Sequence, residues 1–166
     1  MTARVVVAQG IKWADATHRI PEDDGSVSVV YSSHMLEHLD QFEASRFLAE
    51  ARRVLRPGGV LRLAVPDLAR RIDKYAKNRD ADEFMASLSI RPDNIRRKRD
   101  KVQFLFVGDR HHRWMYDGAS LAKLLESHGF EQVAEMAPGT TAIDNPRPLD
   151  LTEREDESIY VEGRRS

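Results

Sequence analysis

Residues 28–67 read SVVYSSHMLEHLDQFEASRFLAEARRVLRPGGVLRLAVPD and decide the fold. The apolar run Val27–Tyr31 predicts a strand buried on both faces of a parallel sheet. Residues 40–55 predict a helix, and Val60–Val65 predicts the next strand. Strand, helix and strand form a βαβ unit, whose polar residues follow the carboxyl ends of its strands. Open α/β sheets bind their ligands at those ends.

The helix of this unit carries recognisable start and stop signals. Asp40 has the position of an N-cap, and Glu43 has the position of its reciprocal partner. Pro57-Gly58-Gly59 is expected to end the helix, because proline cannot continue it and glycine accepts left-handed backbone angles. The residues at helical spacing that are expected to face the core are Phe42, Phe47, Leu48, Ala51, Val54 and Leu55.

The remaining chain predicts further elements of the same α/β class. Strands are expected at Arg4–Ala8, Phe130–Met136 and Ser158–Glu162, with a short one at Ile11–Ala14 and an apolar segment of loop or strand at Gln103–Val107. The last two long strands are expected to form an antiparallel edge. Helices are expected from Leu68, with Leu68, Ile72 and Tyr75 on one face, and over Asp117–His128, with Leu121, Leu124 and Leu125 inward and Gly129 as its stop.

Taken together, these segments resemble class I S-adenosylmethionine-dependent methyltransferases. The similarity lies in VVYSSHMLEHL and FLAEARRVLRPGGVLRLAVPDL, and it extends back through residues 13–26 and forward through residues 112–130. The resemblance implies a Rossmann-like, mainly parallel sheet with flanking helices in a single domain, residues 1–166. It also implies a lid or insertion at residues 79–101.

The family's opening strand with its glycine-rich loop has no counterpart here, since Gly10 is the sole glycine before Ile11. The next strand, whose acidic end holds the ribose, is also missing from the pattern. The sequence therefore predicts an N-terminally truncated form of the fold. Either the missing half is supplied by another chain, or the protein no longer methylates. Weak or absent S-adenosylmethionine binding is expected for this chain alone.

Composition limits the class of protein. Hydrophobic residues make up 41% and charged residues 32% of 166 residues, which is ordinary for a globular protein. The chain has no cysteine, so disulfides and thiol catalysis are excluded. It shows neither a signal-peptide pattern nor a membrane-length apolar run, and cytoplasmic location is expected. A net charge of −1 makes nucleic acid an unlikely partner, and the basic run Arg91–Lys101 is interpreted as solvated surface.

The resemblance assigns site residues to the carboxyl side of the predicted sheet. Asp15 and Ala16 lie where the family contacts adenine, although an aspartate there also suits a turn cap. Ser33 and His34 follow the first strand of the unit and are expected to contact the cofactor. His38 and His112 are expected on the substrate side, where a histidine can act as a general base because its usual pKa is near neutrality.

The segment His34-Met35-Leu36-Glu37-His38 also matches the H-x-x-E-H zinc pattern of inverted metallopeptidases. On a helix, His34 and His38 would share a face and Glu37 would be the base. The family resemblance accounts for the same letters without metal, and no third ligand stands out. We therefore assign no metal ligand, and the zinc hydrolase is the third hypothesis.

The leading interpretation is a methyltransferase domain for a small molecule or sugar. The second is a non-catalytic remnant that binds a partner or oligomerises. A homodimer, or pairing with the missing half, is expected because the first strand of the unit would otherwise leave an unpaired edge. Arg4–Ala8 could instead cover that edge within the same chain.

Overall fold

A computed structural model describes residues 14–90, 111–146 and 149–166. The expected strands or apolar segments at Arg4–Ala8 and Gln103–Val107 lie outside these ranges, as do the basic run Arg91–Lys101 and most of Ile11–Ala14. The described strands are β1 Val27–Ser33, β2 Leu55–Pro66, β3 Phe130–Met136 and β4 Ser158–Arg165. The helices are α1 Gln41–Val54, α2 Leu68–Asn78, α3 Ala81–Ser87 and α4 Gly118–Ser127.

The four strands form one sheet in the order β1-β2-β4-β3. β1 and β2 are parallel neighbours, with Tyr31 opposite Arg62 and Ser33 opposite Ala64, which confirms the predicted βαβ unit. The pairs β2–β4 and β4–β3 are antiparallel, which confirms the predicted C-terminal edge. The α/β class is thus confirmed, and the described sheet has one parallel and two antiparallel pairings.

The predicted start of α1 is confirmed, and its predicted end differs from the observed one. Asp40 accepts hydrogen bonds from the amides of Phe42 and Glu43, and the Glu43 side chain accepts from the Asp40 amide at 3.0 Å. The helix stops at Val54, three residues before Pro57, where the expected break begins. A cap formed by both side chains fixes where the loop after β1 enters the helix.

Pro57-Gly58-Gly59 lies inside β2 and forms a bulge rather than the helix stop. Pairing with β1 jumps from Leu55 to Val60 across this segment. Gly58 has a φ of 75°, and a Cβ on Gly59 would lie 2.9 Å from the carbonyl oxygen of Arg56. Glycine is favoured at 58 by the left-handed backbone angle and at 59 because a side chain would collide with the backbone of Arg56.

One face of the sheet is covered by α1 and α4. Leu61, Leu63 and Val65 of β2 are buried there against helical residues. The helical residues of this core are Ala44, Phe47, Leu48, Ala51, Leu121 and Leu125. One expected core position is wrong: Phe42 is 70% exposed. Phe42 lies in the first turn of α1, where its side chain projects past the sheet.

The opposite face of the sheet carries a buried ion pair. Arg62 and Glu162 are register partners on β2 and β4, and their side chains meet at 2.7 Å. Arg62 is fully buried, donates to the carbonyl oxygens of Thr140 and Leu151, and lies over the ring of Tyr160. This network holds the connection between β3 and β4 against the sheet.

A second ion pair fastens the segment before β1 to α1. Glu50 accepts the amide hydrogen of Ile20 at 2.9 Å and pairs with Arg53 at 2.8 Å. Arg53 in turn donates to the Ile20 carbonyl oxygen and to Asp24. The hydrogen bond from Arg53 lowers the pKa of Glu50 from 4.5 to about 2.

This pair makes stability depend on acid pH. The depressed pKa of Glu50 contributes stability that is complete above pH 4.5 and is lost as the pH falls toward about 2. We expect Glu50→Gln to lower the melting temperature at pH 7 and to flatten the decline of melting temperature between pH 4.5 and 2. Thermal melts followed by circular dichroism measure both. An equally steep acid decline in Glu50→Gln would contradict this role, and Glu126→Gln, on the exposed side of α4, is the matched control.

Candidate functional site

Polar side chains gather where the parallel strands β1 and β2 end. β1 finishes at Ser33, whose hydroxyl is buried, and His34 follows directly. β2 finishes at Pro66 and is followed by Asp67, which caps α2 through the amide of Ala69. Both ends lie at the same edge of the sheet, because the strands are parallel. This is the edge at which α/β sheets bind ligands.

The segment after β1 is a turn and not a helix. His34 has a φ of 48°, in the left-handed region, and Leu36–His38 is a single turn of 3-10 helix. His34 and His38 therefore do not share a helical face, as the zinc-peptidase pattern requires. The His34 ring instead lies 2.9 Å from the Ser158 hydroxyl and 3.4 Å from the Arg154 guanidinium.

Glu37 occupies the centre of this turn. Its side chain is 1% exposed, and within the described residues neither carboxylate oxygen accepts a hydrogen bond. The ring atoms near it are His34 Nδ1 at 3.3 Å and His38 Nε2 at 3.9 Å from Oε1. Its backbone carbonyl accepts the amides of Arg113 and Trp114, which ties residues 111–117 to the turn. Sequence reasoning did not select Glu37 as a site residue, although the H-x-x-E-H letters marked it.

The two histidines expected on the substrate side are brought together. The rings of His38 and His112 lie 5.2 Å apart in a T-shaped arrangement. His38 Nδ1 is 3.1 Å from the His111 carbonyl oxygen, and His112 Nδ1 is buried without a hydrogen bond among the described residues. Burial lowers the pKa of His112, which favours a neutral imidazole that can accept a proton.

An apolar cleft opens beside these rings. It is lined by Ile90, His112, Arg113, Trp114 and Met115 and has a volume of about 310 Å³. Trp114 is 48% exposed and Ile90 is 52% exposed, so both offer apolar surface to a ligand. Small-molecule sites commonly combine such apolar walls with a few polar groups.

Tyr116 is a further buried residue of the site, near Glu37. It is 2% exposed, and its backbone bridges to Asp67. Burial raises the pKa of Tyr116 to about 12, and the nearby Glu37 carboxylate adds to the rise. The phenol is therefore protonated at neutral pH and is a possible donor but not a base.

Asp15 and Ala16 lie in a separate turn. The Asp15 carboxylate accepts from the amide and the hydroxyl of Thr17 at 2.9 and 2.7 Å, and these bonds lower its pKa. Asp15 thus caps a turn, as its alternative interpretation has it, and Ala16 packs against the core. In the part of the chain that the structure describes, no hydrogen bond or ion pair joins Asp15 to Ser33 or His34. The turn lies beside α1, and His18 Nδ1 is 2.8 Å from the Arg46 guanidinium of that helix.

Comparison with known sequences finds a family match. Residues 3–63 match the sequence model of a family described as "Methyltransferase domain". These residues include β1, α1 and most of β2. An uncharacterized 37.1 kDa protein in transposon TN4556 of Streptomyces fradiae is 44% identical over 50 residues, which make up 30% of this chain and 14% of that protein.

Comparison with solved structures finds the same fold. A possible histamine N-methyltransferase from Thermotoga maritima, described as S-adenosylmethionine-dependent, superimposes with a TM-score of 0.53 at 17% identity, over 99% of this chain and 68% of its own. An S-adenosylmethionine-dependent methyltransferase from Methanosarcina mazei gives 0.52 at 18% identity, over 93% and 66%. A putative methyltransferase of Haloferax volcanii, in complex with the Trm112 methyltransferase activator, gives 0.50 at 16% identity, over 90% and 58%.

These findings confirm the predicted resemblance to class I S-adenosylmethionine-dependent methyltransferases. The chain spans 58% of the Haloferax volcanii protein and 14% of the Streptomyces fradiae protein. Within the described residues, no helix has the length and apolar character needed to cross a membrane.

Proposed function

We propose that this chain is an S-adenosylmethionine-dependent methyltransferase domain that acts on a small molecule or sugar. The proposal rests on two findings that concern the same part of the fold. The family match covers β1, α1 and most of β2, and the carboxyl edge of those strands holds buried polar atoms of Ser33, Glu37 and His112 that have no hydrogen bond among the described residues. A sheet edge with buried, unpaired polar atoms is what a ligand site requires.

We expect the residues present to contact the adenosine part of the cofactor better than its methionine part. Ser33 and His34, at the end of β1, are proposed to contact the cofactor, and Asp15, in its separate turn, is proposed to contact the adenine. The sequence has no glycine-rich loop to approach the methionine part. Bound S-adenosylmethionine supplies an electrophilic methyl group, so the protein must supply the acceptor's position and a proton acceptor.

The cleft and the histidine pair suit the acceptor side of such a transfer. An acceptor held against Trp114 and Ile90 places its nucleophilic atom beside His112 and His38. There, the acceptor atom would take the methyl group that bound S-adenosylmethionine would supply. The acceptor's proton would pass to an imidazole nitrogen, and the Nδ1 of His112, which has no hydrogen bond among the described residues, could receive it.

Cofactor affinity should be low in this chain alone. Each missing hydrogen bond costs on the order of 0.5–1.5 kcal/mol, and more if it is charged. Two or three such losses take a micromolar site toward the millimolar range, at ~1.4 kcal/mol per tenfold. Isothermal titration with S-adenosylmethionine should give a dissociation constant of roughly a millimolar. Low-micromolar binding would show that the pocket is complete, and adenosine alone is the control for adenine contacts.

A second candidate is a partner-binding or oligomerisation module. It is favoured because β1 ends the order of the described sheet, so pairing on its outer side can come from another segment or chain. The Haloferax volcanii neighbour is seen with an activator protein, which supports pairing as a property of this fold. Cytoplasmic location remains a prediction.

The expected form is a homodimer joined at β1. Light scattering should give twice the 19.0 kDa chain mass, and deleting residues 1–8 should change the dimer's stability. A monodisperse monomer with residues 4–8 paired to β1 would contradict the dimer.

A further inference from the structure

We propose that Glu37, His38 and His112 form a binding site for a divalent transition metal ion, with Zn²⁺ as the reference ion. One carboxylate oxygen and one nitrogen from each ring lie within 4.8 Å of one another, and among the described residues no other such group of three is found. Two imidazoles and a carboxylate are a ligand set that Zn²⁺ and related ions accept. This site goes beyond the proposed methyl transfer.

The buried carboxylate of Glu37 is the strongest sign that this turn binds a cation. It is 1% exposed, and neither of its oxygens accepts a hydrogen bond in the described part of the chain. An ionised carboxylate without hydrogen bonds is costly to bury, and a bound metal ion removes that cost. His34 Nδ1 lies 3.3 Å from Glu37 Oε1, and His34 Nε2 lies 2.9 Å from the Ser158 hydroxyl. Because Ser158 holds the ring in place, His34 can orient the carboxylate.

The two rings are prepared as ligands. His38 directs Nδ1 toward the His111 carbonyl oxygen at 3.1 Å, so Nδ1 carries the hydrogen and Nε2 keeps its lone pair. Nε2 faces Glu37 at 3.9 Å. His112 has a buried Nδ1 without a hydrogen-bond partner among the described residues, while its ring hydrogen-bonds the Leu88 backbone. Metal-binding histidines commonly use one nitrogen for the ion and the other for a backbone carbonyl.

The spacing requires only a small adjustment. Ligand atoms about 2.0–2.2 Å from a tetrahedral ion are roughly 3.4 Å apart, against at most 4.8 Å here. Rotation of the partly exposed His38 and His112 side chains can close the difference. Three protein ligands leave a fourth position for an oxygen of water or acceptor, as in catalytic zinc sites.

This set differs from the one indicated by the H-x-x-E-H letters. The sequence pattern requires His34 and His38 as ligands with Glu37 as base, and it gave us no reason to assign a metal. In the fold, His34 directs Nε2 to the Ser158 hydroxyl and is not part of the group of three, whereas His112 reaches the group from a distant segment. If the proposed methyl transfer also holds, a bound ion would activate the acceptor hydroxyl by lowering its pKa, and a histidine would not be needed as the base. That consequence rests on the proposed function, whereas metal binding does not.

The test is zinc binding by the chelator-treated chain, measured by equilibrium dialysis and elemental analysis. We expect one zinc per chain at micromolar concentration. Glu37→Gln, His38→Gln and His112→Gln should each weaken binding by roughly tenfold or more, since each removes a ligand. His34→Gln should weaken it less than either ligand histidine, and the exposed His18→Gln should leave it unchanged.

Two further measurements keep the test decisive. Circular dichroism of each metal-free variant shows whether it folds, and only folded variants are compared. The visible spectrum of bound Co²⁺ reports coordination by nitrogen and oxygen directly, and it should be lost in His112→Gln. Absence of zinc from the folded parent chain would overturn the proposal. So would binding that His34→Gln abolishes while His112→Gln preserves it.

Discussion

Replacing Arg62 with methionine is expected to destabilise the protein by roughly 3–5 kcal/mol, because it leaves the buried carboxylate of Glu162 without its counter-charge. Arg62 is fully buried, 2.7 Å from Glu162, and also satisfies the carbonyl oxygens of Thr140 and Leu151. A stability of about 5–15 kcal/mol is usual for a folded domain, so much of it would be lost. Urea denaturation followed by tryptophan fluorescence measures the change.

Two controls identify the ion pair as the cause. Arg56→Met, at an exposed position of the same strand, should change the free energy of unfolding by less than about 0.5 kcal/mol. The double variant Arg62→Met/Glu162→Leu should be more stable than Arg62→Met alone, because no unpaired charge remains buried. A cost below about 1 kcal/mol for Arg62→Met would contradict this role.

Phe47→Ala is expected to cost roughly 3–5 kcal/mol of unfolding free energy, because it opens a cavity between α1 and the sheet. Phe47 is 2% exposed and belongs to the core that contains Leu61 and Leu63. Phe42→Ala is the matched control, since Phe42 is on the same helix but 70% exposed. We expect it to change stability by less than about 1 kcal/mol. Similar costs for the two variants would show that α1 packs through a different face.

The sequence was sufficient for the βαβ unit because its signals are local. The Asp40–Glu43 cap, the apolar run of β1 and the helical spacing of Phe47, Leu48 and Ala51 each depend on neighbours in the chain. Phe42 was placed wrongly because it lies in the first turn of α1, where an apolar residue at helical spacing can still project past the sheet.

The buried charges could not be predicted from the sequence. Arg62 interrupts an apolar strand, and such a residue ordinarily points to solvent. Its partner Glu162 is on a strand that pairs with β2 only in the folded protein. The Glu37, His38 and His112 group likewise depends on residues 111–117 reaching the turn after β1, which the backbone bonds from Arg113 and Trp114 to Glu37 achieve. Sequence reasoning selected both histidines, but not the carboxylate between them.

The methyltransferase assignment is tested most directly by locating where S-adenosylmethionine binds. Isotope-labelled chain is titrated with S-adenosylmethionine to several millimolar, and backbone amide resonances are followed by NMR. Saturable shifts are predicted at Ser33 and His34, at the carboxyl end of β1, and at Asp15 and Ala16, with Gly58 at the opposite end of the sheet unchanged. The assignment would be contradicted if no saturable shift appeared, or if the shifts centred on Gly58.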